Sequence, residues 1–255
     1  MENRFRVLMG LDISTKTIGV TVAAMDEEMN LKILEVDYIN LNCHLRRKDP
    51  KLIHEKARIF ERKLSEKYSK YHVTDVIIEK AIFCDRNVGT SMTLLRFNGM
   101  CADIIYREYG ITPEYISTYN ARKYGLPVLL TLRKYNREGM QYPRKAVIKA
   151  MNRNHFVLFG EYPYDCSKKY IIWNYVKEKF TGIKWMYDQQ GKLRGENFDA
   201  ADSLLCVVGY VNMLKYGSDA RMTLTERKED TERGLIHYTV SFCGEEHRHS
   251  MAVGD

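Results

Sequence analysis

The sequence predicts an α/β fold, on three observations: period-two alternation over the first forty residues, a lengthening to helical period after Pro50, and a short, wholly apolar strand beyond it. Phe5, Val7 and Met9 alternate with Arg6 and Leu8, Ile18 to Ala24 is β-branched and apolar, and Leu31 to Ile39 alternates around Lys32, Glu35 and Asp37. Short polar connections between these runs predict a three-stranded antiparallel meander. Ile53, Ala57, Phe60, Leu64 and Tyr68 then fall on one helical face, with charged residues on the other. Val76, Ile77 and Ile78 form a continuous apolar run ending at Glu79, as expected of a strand buried on both faces. Helical spacing resumes from about Ser91 to Tyr109, stops at Gly110, and gives way to a brief strand at Tyr115-Ile116. The order is β-β-β-α-β-α-β.

The later half reads as helices: one opened by Pro143 and running to about Asn152, one over Tyr170 to Phe180, and a strongly apolar one over Phe198 to Leu214. Gly182 to Gly195 reads as a loop. Residues 1–216 are expected to form one domain, with an insertion over about 119–195, and 217–255 a C-terminal extension. In the extension, Leu235 to Phe242 alternates like a strand and is expected to pair with Ser250 to Val253 as a hairpin across the intervening CGEEHRH.

The chain of 255 residues is long enough to bury a core without staples. No apolar run approaches the ~20 residues of a membrane helix, and no secretory leader is evident, which predicts a cytoplasmic protein, of a host cell if the source is viral. Six cysteines with no CxxC pair point to reduced thiols, mostly in the core. The net charge of +7 is concentrated: Tyr119 to Phe180 holds thirteen Lys/Arg against four acids, and eight of the 18 tyrosines. Cations interleaved with rings suit a nucleic-acid surface, and equally a solvated helical face.

Chemistry enters with four acids that stand where apolar sequence stops. Asp12 ends the first strand in LMGLDIS, Glu79 ends VIIE, and Asp199 and Asp202 open the last apolar helix in NFDAADSLL. The i,i+3 spacing puts the last two carboxylates on one helix face. Each taken singly reads as a cap, a turn or an ion-pair partner. Carboxylates converging at a core edge would repel one another and demand a cation. Hard Mg²⁺ or Mn²⁺, two ions per site, fits this donor set, and two-metal hydrolysis of a phosphodiester fits the ions.

With these residues in view, the sequence resembles a RuvC-type Holliday-junction resolvase of the RNase H-like superfamily. The carrying residues are Gly10-Leu11-Asp12 with Gly19, Ile77-Ile78-Glu79 with Phe83, the helix from Asn87 to Ala102, Arg144-Lys145-Ala146-Val147, and Asp199-Ala200-Ala201-Asp202-Ser203. The match spans roughly residues 4–215. The resemblance implies a five-stranded mixed sheet of order 3-2-1-4-5 flanked by helices. It also implies a homodimeric, metal-dependent endonuclease that nicks a four-way DNA junction symmetrically and leaves 5′-phosphate ends. Asp12, Glu79, Asp199 and Asp202 would be the metal ligands, and Lys145 would lie near the scissile phosphate, unless it is a solvated first-turn lysine. Lys80, Phe83, Arg122, Lys123, Arg133, Lys134, Arg144, Lys145 and Lys149 are the candidate DNA-contacting residues. Dimerisation is expected through Met92, Leu95, Met100 and Ile104.

Four departures from the family, Ser14 and Lys80 in place of its usual Gly and Gln, the longer stretch between Tyr119 and Phe198 and the extra tail after 217, point to a divergent phage or viral branch. Forks and flaps would suit the same site. The rivals are a nuclease acting on RNA or RNA:DNA hybrid, an actin-like ATP-binding protein and a binding protein without activity. DISTKTIG resembles the first actin phosphate loop, but neither a second such turn nor a GxxxxGK[ST] motif follows it. Cys243, His247 and His249 read as hairpin residues rather than zinc ligands, and Trp173 and Trp185 as core anchors.

Overall fold

The computed structural model describes residues 5–46, 48–82, 87–126, 168–217, 223–230, 232, 235–242 and 245–252. A five-stranded mixed sheet of order β3-β2-β1-β4-β5 forms its centre, the order the resemblance implies. β1 (Arg6–Ile13), β2 (Thr17–Met25) and β3 (Leu31–Asn40) make the antiparallel meander. β4 (Asp75–Glu79) and β5 (Glu114–Ile116) add parallel to β1 on its other side. Flanked on both edges and covered on both faces, β1 has little polar surface to offer water, which is why its middle reads as unbroken apolar sequence. β3 lies at the edge and is only half-buried along most of its length.

Helices cover both faces of the sheet. On one face lie α1 (Leu52–Lys63) and α2 (Val88–Tyr109), burying Phe60, Phe97 and Cys101 against Met9, Leu11, Val20 and Ile78. On the other lie α3 (Thr118–Gly125), α4 (Lys168–Lys179) and α5 (Glu196–Tyr216), packing Ala121, Val176, Leu204 and Val207 against Leu8, Ala23 and Ile77. The helix expected to run to Tyr68 does so, with a widened π turn over Leu64–Tyr68 and a 3-10 turn over Ser69–Tyr71, before His72 ends it in the left-handed conformation. α2 starts at Val88, with Asn87 as its cap, and ends at Gly110 with φ 69°.

Ile104, expected on a dimer face, is 3% exposed inside the chain's own core, and Met100 packs against that core. α2 is apolar on more than one side, so its sequence does not say which side faces inward. Val88, Met92 and Leu95 are the exposed apolar residues along its first half.

The C-terminal residues form a separate three-stranded antiparallel sheet, β6 (Thr223–Asp230), β7 (Leu235–Phe242) and β8 (Glu245–Ala252). β7 pairs with far more than Ser250–Val253: Phe242 faces Glu245, and His247 and His249 lie within the strand opposite Val240 and Tyr238. The charged tract Thr223–Asp230, to which the sequence assigned no element, supplies the third strand. Among the described residues no helix is long and apolar enough to cross a membrane.

Candidate active site

Two parallel strands and one helix start bring the four acids together. The last registered pair of β1 and β4 is Leu11 with Ile78, and Asp12 and Glu79 are the next residues of those strands. α5 lies directly on the meander because β1 and β2 carry glycine where it crosses. A Cβ on Gly19 would stand 1.9 Å from the Asp199 carbonyl oxygen, and one on Gly10 2.4 Å from that of Ser203. A buried hydrogen bond clasps the crossing: the Ser203 hydroxyl donates to the Ala200 carbonyl at 2.8 Å and lies 2.8 Å from Thr21 Oγ1. In the first turn of the helix, fully buried Asn197 ties down the approaching chain, donating to the carbonyls of Met186 and Arg194 and accepting from the Met186 N–H. Asp199 thus sits in the first turn of α5, where the exposed N–H groups favour negative charge.

The carboxylates feel one another. Burial raises the Asp12 carboxyl well above its usual range, and the charges of Glu79, Asp202 and Asp199 raise it further. Burial also pushes Asp202 up to about 6, with Arg122 and Lys169 opposing it and Glu79 and Asp199 adding to it. Glu79 and Asp199 are raised, again mainly by burial. Cys206, one turn beyond Asp202, is pushed up by burial and then by Glu79, Asp12 and Asp202, so its thiol stays protonated beneath the cluster.

Each of three acids also has an internal partner. The Thr17 hydroxyl donates to Asp199, the Thr118 hydroxyl donates to Glu79, and Arg122 Nη2 lies 3.7 Å from Asp202 Oδ1. Lys169, at the start of α4, exerts a favourable charge interaction on all four. Ser14, one of the family departures, builds the turn that presents Thr17: its hydroxyl donates to the Thr17 carbonyl at 2.7 Å and accepts from the Thr17 N–H at 3.0 Å.

Sequence reasoning missed Thr17, Thr118 and Lys169. The threonines act across 182 and 39 residues of chain, which no local pattern reveals. Arg122, expected to contact DNA, lies at the acids, with Nη2 3.7 Å from Asp202 Oδ1. Lys123 stands over the Tyr124 ring at 4.9 Å, and Lys80 is exposed. Phe83, Arg133, Lys134, Arg144, Lys145 and Lys149, with the helix expected from Pro143, fall outside the described residues. Trp173 is 8% exposed and meets Trp185 edge-on at 6.0 Å, an anchor between α4 and the 182–195 loop.

The donor set is one of hard oxygens, suited to Mg²⁺ or Mn²⁺. Among the described residues no group of three or more His, Cys, Asp or Glu side chains is placed to hold a metal ion.

A pH effect follows from Asp202. Its folded value, about 6, lies above the ordinary 3.8, so the native state binds the proton more tightly than the unfolded chain. Stability contributed by the protonated form is therefore full below about pH 4 and is lost as pH rises through about 6. The melting-temperature advantage of Asp202→Asn over wild type, both in EDTA, is expected to grow across that window. An advantage that stays flat or shrinks contradicts the burial of this charge.

No protein-family profile matches the sequence, and no curated protein matches it. Solved structures do. RuvC from T. thermophilus in complex with a Holliday junction substrate is 12% identical, over 82% of this chain and 97% of that one, with a TM-score of 0.44. The yeast mitochondrial Holliday junction resolvase is 15% identical over 80% and 77%, at 0.45. The fowlpox virus resolvase, in complex with Holliday junction DNA, is 13% identical over 82% and 98%, at 0.37.

Proposed function

We propose that this chain is a divergent RuvC-type nuclease: a metal-dependent, structure-selective endonuclease that resolves Holliday junctions or other branched DNA by paired nicks, leaving 5′-phosphate ends. The observation that carries the reading is the meeting of Asp12, Glu79, Asp199 and Asp202 from two adjacent strand ends and one helix turn, with charge interactions among them. A cluster of four carboxylates, one buried and three half-buried, is costly to folding, and a fold keeps it where cations are to be held.

Asp12, Glu79, Asp199 and Asp202 would hold Mg²⁺ or Mn²⁺. Such ions supply an activated water for in-line attack at phosphorus and stabilise the leaving oxygen. The chain's own residues do the rest. Thr17 and Thr118 fix the rotamers of Asp199 and Glu79, the Gly19 and Gly10 crossing sets the separation of helix and strands, and Lys169 brings positive charge to the acids. The basic, tyrosine-rich stretch from 119 to 180 would carry the arms of the DNA. In this reading residues 1–216 are the nuclease unit and 217–255 an extension. Two coordinated nicks need two sites, and a second copy is expected to dock on Val88, Met92 and Leu95 of α2, spaced i, i+4, i+7 on one face.

The test is cleavage, with Mg²⁺ or with EDTA, of a four-way junction, a fork, a linear duplex and an RNA:DNA hybrid of one sequence. The junction or fork is expected to be cut fastest, and only with metal. Preference for the hybrid would leave the site intact and overturn the assignment to branched DNA.

A further inference from the structure

α3 reaches the acid cluster twice. Its first residue, Thr118, holds Glu79, and one turn later Arg122 points at Asp202. The helix itself is firmly seated: Ser117 caps it, Ala121, Tyr124 and Gly125 are buried, and Asn212 of α5 donates to the Tyr124 carbonyl at 2.8 Å. The position of Arg122 is therefore imposed by packing. Its hold on Asp202 is loose by contrast. The single approach of 3.7 Å is beyond hydrogen-bonding distance, whereas a guanidinium forked onto a carboxylate makes two contacts of about 2.8 Å. Arg122 Nε is buried with no hydrogen-bond partner among the described residues. An arginine kept for architecture would have its fork engaged and its Nε satisfied. Here the side chain serves as a positive charge set beside a negative one.

The charge count gives that position a meaning. Among the described residues four carboxylates face two cations, Arg122 and Lys169, which leaves two negative charges uncompensated by them, enough for one divalent ion. A second ion needs the carboxylate charge that Arg122 now balances. We propose that Arg122 is a resident counter-cation of Asp202 that a divalent ion must displace, so that this one side chain sets the metal affinity of the site. The proposal rests on the reading that the four acids hold divalent cations, and it adds that the chain carries its own competitor for them. In the absence of metal Arg122 limits the mutual repulsion of the acids, and it makes metal binding weaker than the bare carboxylates would give.

The experiment is a Mn²⁺ titration of the wild type, Arg122→Gln and Arg122→Lys by calorimetry. Arg122→Gln is expected to bind Mn²⁺ about tenfold more tightly, and Arg122→Lys, which keeps the charge, to stay near the wild type. Equal or weaker binding by Arg122→Gln, beside a wild type that does bind, overturns the competition alone. A wild type that binds no Mn²⁺ overturns both the competition and the metal site beneath it. Should Arg122→Gln not fold, the wild type still answers. Its Arg122 Nε–H resonance, assigned by absence in Arg122→Lys, is expected to move on saturation with Mg²⁺, and a resonance that binding leaves unmoved contradicts displacement.

Discussion

Replacing Asp12 with Asn is expected to abolish cleavage, by about a thousandfold or more, and at the same time to raise the melting temperature of the protein in EDTA. The two effects have one cause. Asp12 follows the buried core of β1, and burial together with the charges of Glu79, Asp202 and Asp199 disfavours its ionised form. Asn keeps the shape and removes the charge, so folding gains what desolvation and repulsion had cost. The same change takes away a ligand that a neutral amide replaces poorly for a hard cation. Calorimetric melting in EDTA and in Mg²⁺ checks this beside the cleavage assay. The variant should melt above the wild type in EDTA and gain less from Mg²⁺. A variant that cuts at the wild-type rate, or melts lower in EDTA, removes Asp12 from the centre of the account.

Gly19→Ala is expected to be nearly as damaging, for a purely steric reason. The added methyl would stand 1.9 Å from the Asp199 carbonyl oxygen and 2.4 Å from its carbon, and both are backbone atoms that no rotamer change can move. The first turn of α5 must lift from β2, at a cost of about 3 kcal/mol or more. Asp199 and Asp202 move with it, so residual folded protein should also cut poorly. Gly89→Ala is the control: among the described residues nothing beyond its chain neighbours and its own helix backbone lies within 4 Å of the new carbon, and its melting temperature should match or slightly exceed the wild type. If Gly19→Ala melted like Gly89→Ala, the close seating of α5 on the sheet would be wrong.

The sheet was legible because its pattern is local. Alternation marked the start of β1 and the length of β3, a β-branched apolar run marked β2, and the abrupt end of apolar runs at Asp12 and Glu79 marked both a strand terminus and a candidate ligand. The apolar run after Asp202 marked α5 for the same reason, since a helix with nearly every residue from Ala200 to Gly209 buried has few polar positions. α3 was hidden by its charge. Tyr119 to Lys123 reads as part of a basic surface, and the cue that should have found the helix was Ser117, a capping residue directly after the strand ending at Ile116. β6 was hidden likewise, because TLTERKED offers charge rather than apolar alternation. The acids could be named from sequence, but their partners could not. Thr17 with Asp199, Thr118 with Glu79 and Arg122 with Asp202 meet only through the strand order and the crossing of α5.

The most direct measurement is strand-by-strand mapping of the cuts made in a four-way junction with Mg²⁺, wild type against Asp12→Asn, followed by treatment of the products with DNA ligase. The account predicts nicks at symmetric positions on two opposing strands, ends that ligase reseals, and no cuts with the variant or in EDTA. Cuts on a single strand, ends that resist ligation, or an unchanged pattern from Asp12→Asn would contradict it.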